Sequence, residues 1–133
     1  VVNAFLEKQP LAEIKFADVK DVEWYYEKIQ KAYGAGVVNG ISDDMFGIGQ
    51  NITRQDMCVM LYRIGKYVGG YFDDTTEATE KFGDDSEISD YASEAVYALK
   101  AREIINGVDE YNFAPLNTAT RAEAAKMIYG MIK

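Results

Sequence analysis

Apolar side chains recur at a helical period in four stretches of the chain. In the first and third stretches they lie three or four residues apart, which is the spacing of one face of an α-helix. These faces are formed by Tyr25, Ile29 and Ala32 in one stretch and by Ala92, Val96 and Leu99 in the other. The first helix is predicted over residues 22–35, ended by Gly34 and Gly36, because glycine readily adopts the left-handed conformation that terminates a helix.

The other two stretches each begin with a threonine suited to capping a helix. Thr53-Arg54-Gln55-Asp56 and Thr120-Arg121-Ala122-Glu123 match the capping box, in which threonine caps an N–H group and the acidic residue bonds back. Asp56 predicts a weaker box because its side chain is shorter than that of Glu123. The apolar stripes that follow are Met57, Leu61, Ile64 and Val68 in one stretch and Ala124, Ile128 and Met131 in the other.

The two halves of the chain are copies of each other. Residues 37–62 align with residues 104–129 at an offset of 67, and seven of these 26 positions are identical, where chance predicts about one or two. The identical pairs are Asn39/Asn106, Gly40/Gly107, Phe46/Phe113, Thr53/Thr120, Arg54/Arg121, Met60/Met127 and Tyr62/Tyr129. Upstream, Trp24 aligns with Tyr91, and Asp18 aligns with Asp84 at an offset of 66.

These patterns predict an all-α fold of tandem helix-loop-helix repeats. We expect a helical segment at residues 1–14, a first repeat at 15–68 (copy one), a connector at 69–81 and a second repeat at 82–133 (copy two). Neither helix pair can bury its apolar stripe alone, so the repeats are expected to pack on each other. The first segment looks like the end of a preceding repeat. It, or a second chain in a homodimer, is expected to cover the remaining apolar face.

Composition and charge exclude several classes of function. With 22 acidic and 14 basic residues, the formal net charge of −8 argues against nucleic-acid binding. No apolar run approaches the roughly 18 residues of a membrane span. The chain lacks histidine and shows no nucleophile beside a base, so we predict no catalysis and no cofactor. The acidic loop at Asp43 and Asp44 lacks the ligand spacing of an EF-hand, and no metal site is predicted. Cys58 lies among apolar residues and is expected to be buried.

The order of short motifs resembles that of the S-layer homology family. Copy one has Phe16-x-Asp18-Val19, Trp24-Tyr25, Gly36-Val37-x-x-Gly40, Phe46 and Ile52-Thr53-Arg54-x-Asp56. Copy two has Phe82-x-Asp84, Tyr91, Ile104-x-x-Gly107, Phe113-x-Pro115 and Thr120-Arg121-Ala122-Glu123. Each motif alone is weak, whereas the ordered set found twice is specific. The departures from the family pattern are Ile48 in copy one and Asp85, Tyr91, Glu103 and Ala119 in copy two.

This resemblance implies a fold and a function. Members of the family usually carry three repeats around a pseudo-threefold bundle of their second helices. They bind secondary cell-wall polymer, often pyruvylated, or another peptidoglycan-linked glycan, at grooves between repeats. The chain is therefore expected to be a non-catalytic module that retains a larger protein at the bacterial cell surface or S-layer. The alternative is a protein-interaction or self-assembly module of a surface-layer protein.

Two arginines are candidates for binding an anionic group of such a polymer. Arg54 and Arg121 stand at the first position of a helix, next to free N–H groups and the positive end of the helix dipole. A carboxylate at that position would meet the guanidinium fork and the backbone N–H groups together. The alternative is that each arginine pairs with a nearby carboxylate, such as Asp18 or Asp84.

The remaining candidate residues each have a structural alternative. They are Trp24, Tyr91, Asp18, Asp84, Gly40, Gly107 and Thr53. The two aromatic residues are expected either to stack on a sugar ring or to wedge between helices. The two aspartates are expected to cap the first helix or pair with the arginines, with direct sugar contact as the alternative. The glycines permit a turn, with ligand contact to exposed backbone as a second role, and the threonine is predicted first as a cap.

Overall fold

The computed structural model describes residues 8, 10–68, 72 and 80–132, and their regular structure is helical. The helices are Tyr26–Gly34 (α1), Arg54–Val68 (α2), Asp90–Ala101 (α3) and Arg121–Ile132 (α4), with a short 3-10 helix at Asp85–Glu87. This confirms the predicted all-α class. The chain divides into two compact units, Val1–Gln50 (unit 1) and Asn51–Lys133 (unit 2).

The predicted segment at 1–14 and the predicted connector at 69–81 are described only in part. Residues 1–7 and 9 lie outside the described residues, and residues 10–14 are not helical. Of the connector, residues 72, 80 and 81 are described, and none of them is helical.

Helix α1 begins four residues later than the apolar pattern predicts. The predicted start at residue 22 is wrong because the preceding chain forms tight turns. The N–H of Glu23 bonds to the oxygen of Lys20 and that of Tyr26 to the oxygen of Glu23, three residues back in each case. Bonds of α-helical spacing begin with the N–H of Ile29 on the oxygen of Tyr25, at 2.9 Å.

Both first helices, α1 and α3, end in the same hydrogen-bonded motif. After α1, the N–H of Gly36 donates to the oxygen of Tyr33 and the N–H of Val37 to that of Ala32. After α3, the N–H of Glu103 donates to the oxygen of Lys100 and the N–H of Ile104 to that of Leu99. This is the Schellman motif, which needs a left-handed residue after the cap. That residue is Gly36 (φ 76°) in copy one, in accord with the predicted glycine stop, and Glu103 (φ 58°) in copy two.

The core of unit 1 is built on the predicted apolar face of α1. Phe16, Val19 and Ile29 are buried and pack together. The partly buried side chains around them are Ile14, Tyr25, Tyr26 and Phe46. The loop after α1 is therefore held against the helix by Phe46, the one aromatic residue that both copies share at this position.

In unit 2, the second helix of copy one packs against the first helix of copy two. The buried apolar residues are Cys58, Val59, Leu61 and Ile64 on α2 and Ala92, Ala95, Val96 and Leu99 on α3. Cys58 is fully buried, as its apolar neighbours predict, and burial raises the pKa of its thiol to about 12. A compact unit therefore combines elements of both sequence repeats.

The two second helices, α2 and α4, begin as the capping boxes predict. The N–H of Glu123 bonds to Oγ1 of Thr120 at 3.1 Å, and the N–H of Thr120 bonds back to Oε2 of Glu123 at 2.9 Å. In the weaker box, Thr53 Oγ1 accepts the N–H of Asp56 at 3.2 Å. The predicted stripe of α4 is wrong at one position, since Met127 is buried and Ile128 is 44% exposed.

Candidate functional site

Asp18 fastens the loop of copy one onto the segment before α1. Its Oδ1 accepts the N–H of Phe46 at 2.8 Å, and its Oδ2 accepts the N–H groups of Gly47 at 2.8 Å and Ile48 at 2.9 Å. These bonds hold the pKa of the Asp18 carboxyl below its ordinary value of 3.8, and the bond from Phe46 has the largest effect. The carboxylate thus accepts hydrogen bonds from the loop and does not cap the first helix.

Asp84 makes the equivalent bonds in copy two. Its Oδ1 accepts the N–H of Phe113 at 2.9 Å and its Oδ2 that of Ala114 at 2.7 Å. The third bond has no counterpart because Pro115, which aligns with Ile48, carries no N–H. The expectation that Asp18 and Asp84 cap the first helix is therefore wrong, since both carboxylates bond to N–H groups of the loops. Their pairing with Arg121 stays a prediction, because that side chain lies outside the described residues.

Gly40 and Gly107 are required by backbone conformation and by packing. Their backbone φ angles are 80° and 91°, values that residues with a Cβ rarely adopt. A Cβ on Gly40 would lie 2.7 Å from Cε1 of Phe16, and one on Gly107 would lie 2.6 Å from the oxygen of Asn112 and 3.1 Å from Cε1 of Phe82. In both copies glycine allows the loop to pass over the phenylalanine of the first motif.

Arg54 is buried within unit 2 with only 4% of its surface exposed. Its Nε donates to the oxygen of Phe113 at 2.8 Å, and its guanidinium lies 5.0 Å from the centre of the Phe113 ring. Its Nη1 donates to Oε1 of Glu123 at 2.7 Å. Three groups from copy two enclose Arg54, namely the backbone oxygen and the ring of Phe113 and the carboxylate of Glu123. The sequence predicts that Arg54 pairs with a carboxylate such as Asp18 or Asp84. The observed partner is Glu123.

The capping box predicts Glu123 as a cap alone, and the structure gives it a second role. One of its oxygens bonds to Arg54 and the other to the N–H of Thr120, so Glu123 joins the starts of two helices. The acidic residue of the capping box was visible in the sequence. What the sequence did not show is that its side chain meets an arginine 69 positions away.

The N–H groups that open α2 are also bonded inside unit 2. The N–H of Arg54 donates to the oxygen of Asn117 at 2.8 Å and that of Gln55 to the oxygen of Pro115 at 3.0 Å. The next N–H is capped by Thr53. The end of a helix usually offers these groups to an anion. At α2 neither they nor the guanidinium are free, so the premise of an anion site at Arg54 is wrong.

Trp24 and Tyr91 are exposed at equivalent positions of the two copies. Their side chains are 78% and 63% exposed, so the alternative that they wedge between helices is wrong. The ring of Trp24 meets that of Tyr25 edge-on, with centres 5.5 Å apart. The hydroxyl of Tyr91 donates to Oδ1 of Asp56 at 2.6 Å and accepts from Nε2 of Gln55 at 3.2 Å. Both rings are therefore open to solvent, and the ring of Tyr91 is tied through its hydroxyl to α2.

Other features of the described residues bear on the remaining predictions. The side chain of Arg121 lies outside the described part of the structure, so its predicted anion contact stays a prediction. Within the described ranges, no three acidic, cysteine or histidine side chains lie close enough to hold a metal ion. None of the described helices combines the length and apolar character that crossing a membrane requires.

Comparison with known proteins gives matches over most of the chain. Exoglucanase XynX of Acetivibrio thermocellus is 39% identical over 119 residues, which are 90% of this chain and 11% of that protein. Amylopullulanase of Thermoanaerobacterium thermosulfurigenes is 37% identical over 119 residues, 90% of this chain and 6% of that protein. Endoglucanase of Bacillus sp. (strain KSM-635) is 35% identical over 113 residues, 85% of this chain and 12% of that protein. The chain thus spans about a tenth of the length of these relatives.

The family comparison locates the two repeats directly. The S-layer homology domain matches residues 15–58 and again residues 81–125. These two matches contain both loops that Asp18 and Asp84 hold, and both exposed aromatic residues. The chain therefore belongs to the S-layer homology domain family and is a cell-surface anchoring module.

Proposed function

We propose that the chain is a non-catalytic module that binds secondary cell-wall polysaccharide and so retains a larger protein on the bacterial envelope. The observation that supports this most is the pair of exposed rings at Trp24 and Tyr91. Both rings are open to solvent and occupy equivalent positions of the two copies. Aromatic side chains that are apolar on the face and polar at the edge are suited to stacking on a sugar ring.

The ring of Tyr91 is positioned before any ligand binds. Its hydroxyl bonds to Asp56 and Gln55, whereas the ring of Trp24 makes an edge contact with that of Tyr25. A ring fixed in advance loses little conformational entropy on binding, so more of the contact energy appears as affinity. If the polymer is pyruvylated, Arg121 is our candidate for its carboxylate, because Arg54 is enclosed by protein groups.

Sedimentation with cell-wall sacculi tests the proposal. Wild-type protein should sediment with intact sacculi and stay in solution after the polymer has been removed by acid extraction. Equal sedimentation with stripped peptidoglycan would contradict a polymer ligand. Trp24→Ala and Tyr91→Ala should each weaken binding without lowering the melting temperature greatly, because both rings are exposed.

Two further variants separate stacking from local structure. Tyr91→Phe keeps the ring and loses the bonds to Asp56 and Gln55, so it should retain most of the binding that Tyr91→Ala loses. Tyr129→Ala removes another tyrosine that is 63% exposed in the same unit and serves as the matched control. Unchanged binding by Trp24→Ala and Tyr91→Ala together would exclude the aromatic rings as sugar contacts.

The alternative function, self-assembly of the surface protein, is favoured by one observation on α4. Ile128 and Tyr129 are both exposed there, at 44% and 63%. Under this alternative a second chain covers them in a homodimer. Light scattering over a range of concentrations tests it, since a monomer at all concentrations contradicts a homodimer and leaves polymer binding unaffected.

A further inference from the structure

An open pocket of about 350 Å³ lies in unit 2 beside the loop that Asp84 holds. This volume is at the small end of the range for ligand pockets, which suits a single ring rather than an extended chain of sugars. The pocket is lined by residues on both sides of the loop, within 84–87 and 108–117. It is separate from Arg54 and from both exposed rings, none of which lines it.

The charge of the pocket argues against an anionic ligand. Three carboxylates line it, those of Asp84, Glu87 and Asp109, and no lysine or arginine is among the lining residues. Asp109 is fixed by the loop itself, because its Oδ1 accepts the N–H groups of Tyr111 at 2.7 Å and Asn112 at 2.8 Å. A carboxylate has about four acceptor positions, so these groups keep capacity for hydroxyl donors of a ligand.

The remaining lining residues suit an uncharged, hydroxylated ring. Asn112 and Asn117 carry amides that both donate and accept. Val108 and Leu116 are 49% and 63% exposed and provide apolar surface for the C–H face of a sugar. A few polar groups beside apolar walls are the usual composition of a small-molecule site.

We propose that this pocket binds one uncharged pyranose residue of the cell-wall polymer, with the identity of the polymer resting on the function proposed above. The lining of the pocket is specific to the sequence of copy two. At the positions of Asn112 and Leu116, copy one has Met45 and Gly49, which supply neither the amide nor the apolar wall. The two copies therefore make different contacts with the polymer.

Titration with simple sugars, followed by amide NMR shifts, tests the proposal on the whole chain. Methyl glucoside and methyl N-acetylglucosaminide serve as neutral probes, glucosamine as the cationic probe and glucuronate as the anionic one. At least one neutral probe should shift the amides of residues 108–117 saturably and independently of salt, because no net charge is neutralised. Glucuronate should not.

Variants fix the site of any such binding. Asn112→Met installs the residue that copy one tolerates at this position, and Leu116→Ala trims an exposed side chain, so both should fold. The pair together should weaken neutral-sugar binding roughly tenfold or more. Ile128→Ala, an exposed apolar residue outside the pocket, is the control and should bind as the wild type does.

Each failure is distinguishable from failure of the proposed function. No saturable shift with any neutral probe, a shift with glucosamine alone, or unchanged binding by the paired variant would overturn the pocket assignment. Sedimentation with sacculi is measured on the same proteins. If the protein sediments with sacculi but no sugar shifts the pocket amides, only the pocket assignment is refuted. If a sugar binds the pocket but the protein does not sediment, polymer anchoring is refuted.

Discussion

At the scale of single residues, copy two has backbone strain at two positions where copy one has glycine. Glu103 has φ 58° where copy one has Gly36, and Ala114 has φ 58° where copy one has Gly47. A left-handed conformation costs a residue with a Cβ roughly 1–2 kcal/mol, while glycine costs roughly 0.5–1 kcal/mol in the entropy of the unfolded chain. The left-handed cost is the larger of the two at these positions.

Glu103→Gly is therefore predicted to stabilise the protein by about 0.5–1 kcal/mol, measured as the free energy of unfolding in urea. Glu103→Ala is the control, because it removes the charged side chain and keeps the left-handed strain. If alanine stabilises as much as glycine does, the cause lies in the side chain and backbone strain is excluded.

Arg54 is predicted to act on stability. Both Arg54→Ala and Arg54→Lys should lower the free energy of unfolding by about 2–3 kcal/mol, because each breaks charge-assisted bonds of a buried group. Lysine keeps the charge but cannot reproduce the bonds to the oxygen of Phe113 and to Glu123 together. Melting and sacculus sedimentation should be compared on the same variants. A stable Arg54→Ala protein that no longer sediments would restore Arg54 as a ligand contact.

The residues that sequence predicts well are those whose role is local. The capping role of Thr53 and the burial of Cys58 follow from neighbours within a few positions. Arg54 could not be predicted, because its burial depends on Phe113 and Glu123, which come close only after the fold has formed. A first-turn position predicts exposure unless another element covers it.

At the scale of elements, the helices were predictable and the loops were not. Periodicity indicates α1 and the capping boxes indicate α2 and α4, but the start of α1 was placed four residues early because tight turns share the helical apolar spacing. The loops depend on one aspartate each, and a carboxylate bonded to N–H groups some 30 positions away leaves no local pattern.

The Asp18 loop predicts a dependence of stability on pH. Because the pKa of Asp18 is below its ordinary value, the folded state binds fewer protons than the unfolded state near that value. The stabilisation is therefore present above about pH 3.8 and is lost as pH falls through the folded pKa. Asp18→Asn should be less stable at pH 6 and should lose less stability than the wild type between pH 6 and pH 3.

Urea unfolding at the two pH values measures this difference. Asp43→Asn changes an exposed carboxylate of the same unit and is the control, which should follow the wild type. Parallel pH profiles for Asp18→Asn and the wild type would show that the Asp18 carboxylate does not stabilise the loop.

At the scale of the whole molecule, the sequence repeat and the folding unit are predicted to differ. Duplication divides the chain into residues 15–68 and 82–133, whereas α2 of copy one packs on α3 of copy two inside unit 2. A fragment of residues 82–133 would lack α2 and expose the buried face of α3. Burial of one large apolar side chain is worth roughly 1.5–3 kcal/mol, and this face has two, Val96 and Leu99. Losing it therefore removes roughly 3–6 kcal/mol, which matches the lower end of the roughly 5–15 kcal/mol of a typical domain.

We therefore expect residues 51–133 to unfold cooperatively and residues 82–133 to be largely unfolded, as measured by circular dichroism in urea. The longer fragment keeps the α2–α3 core and the bonds of Arg54 to Phe113 and Glu123, which fix the start of α4 as well. Arg54→Ala in the longer fragment should lower its urea midpoint, since the bonds of Arg54 to Phe113 and Glu123 stabilise that fragment. Equal midpoints for the two fragments would show that copy two folds without α2 and would contradict a folding unit shared by the two copies.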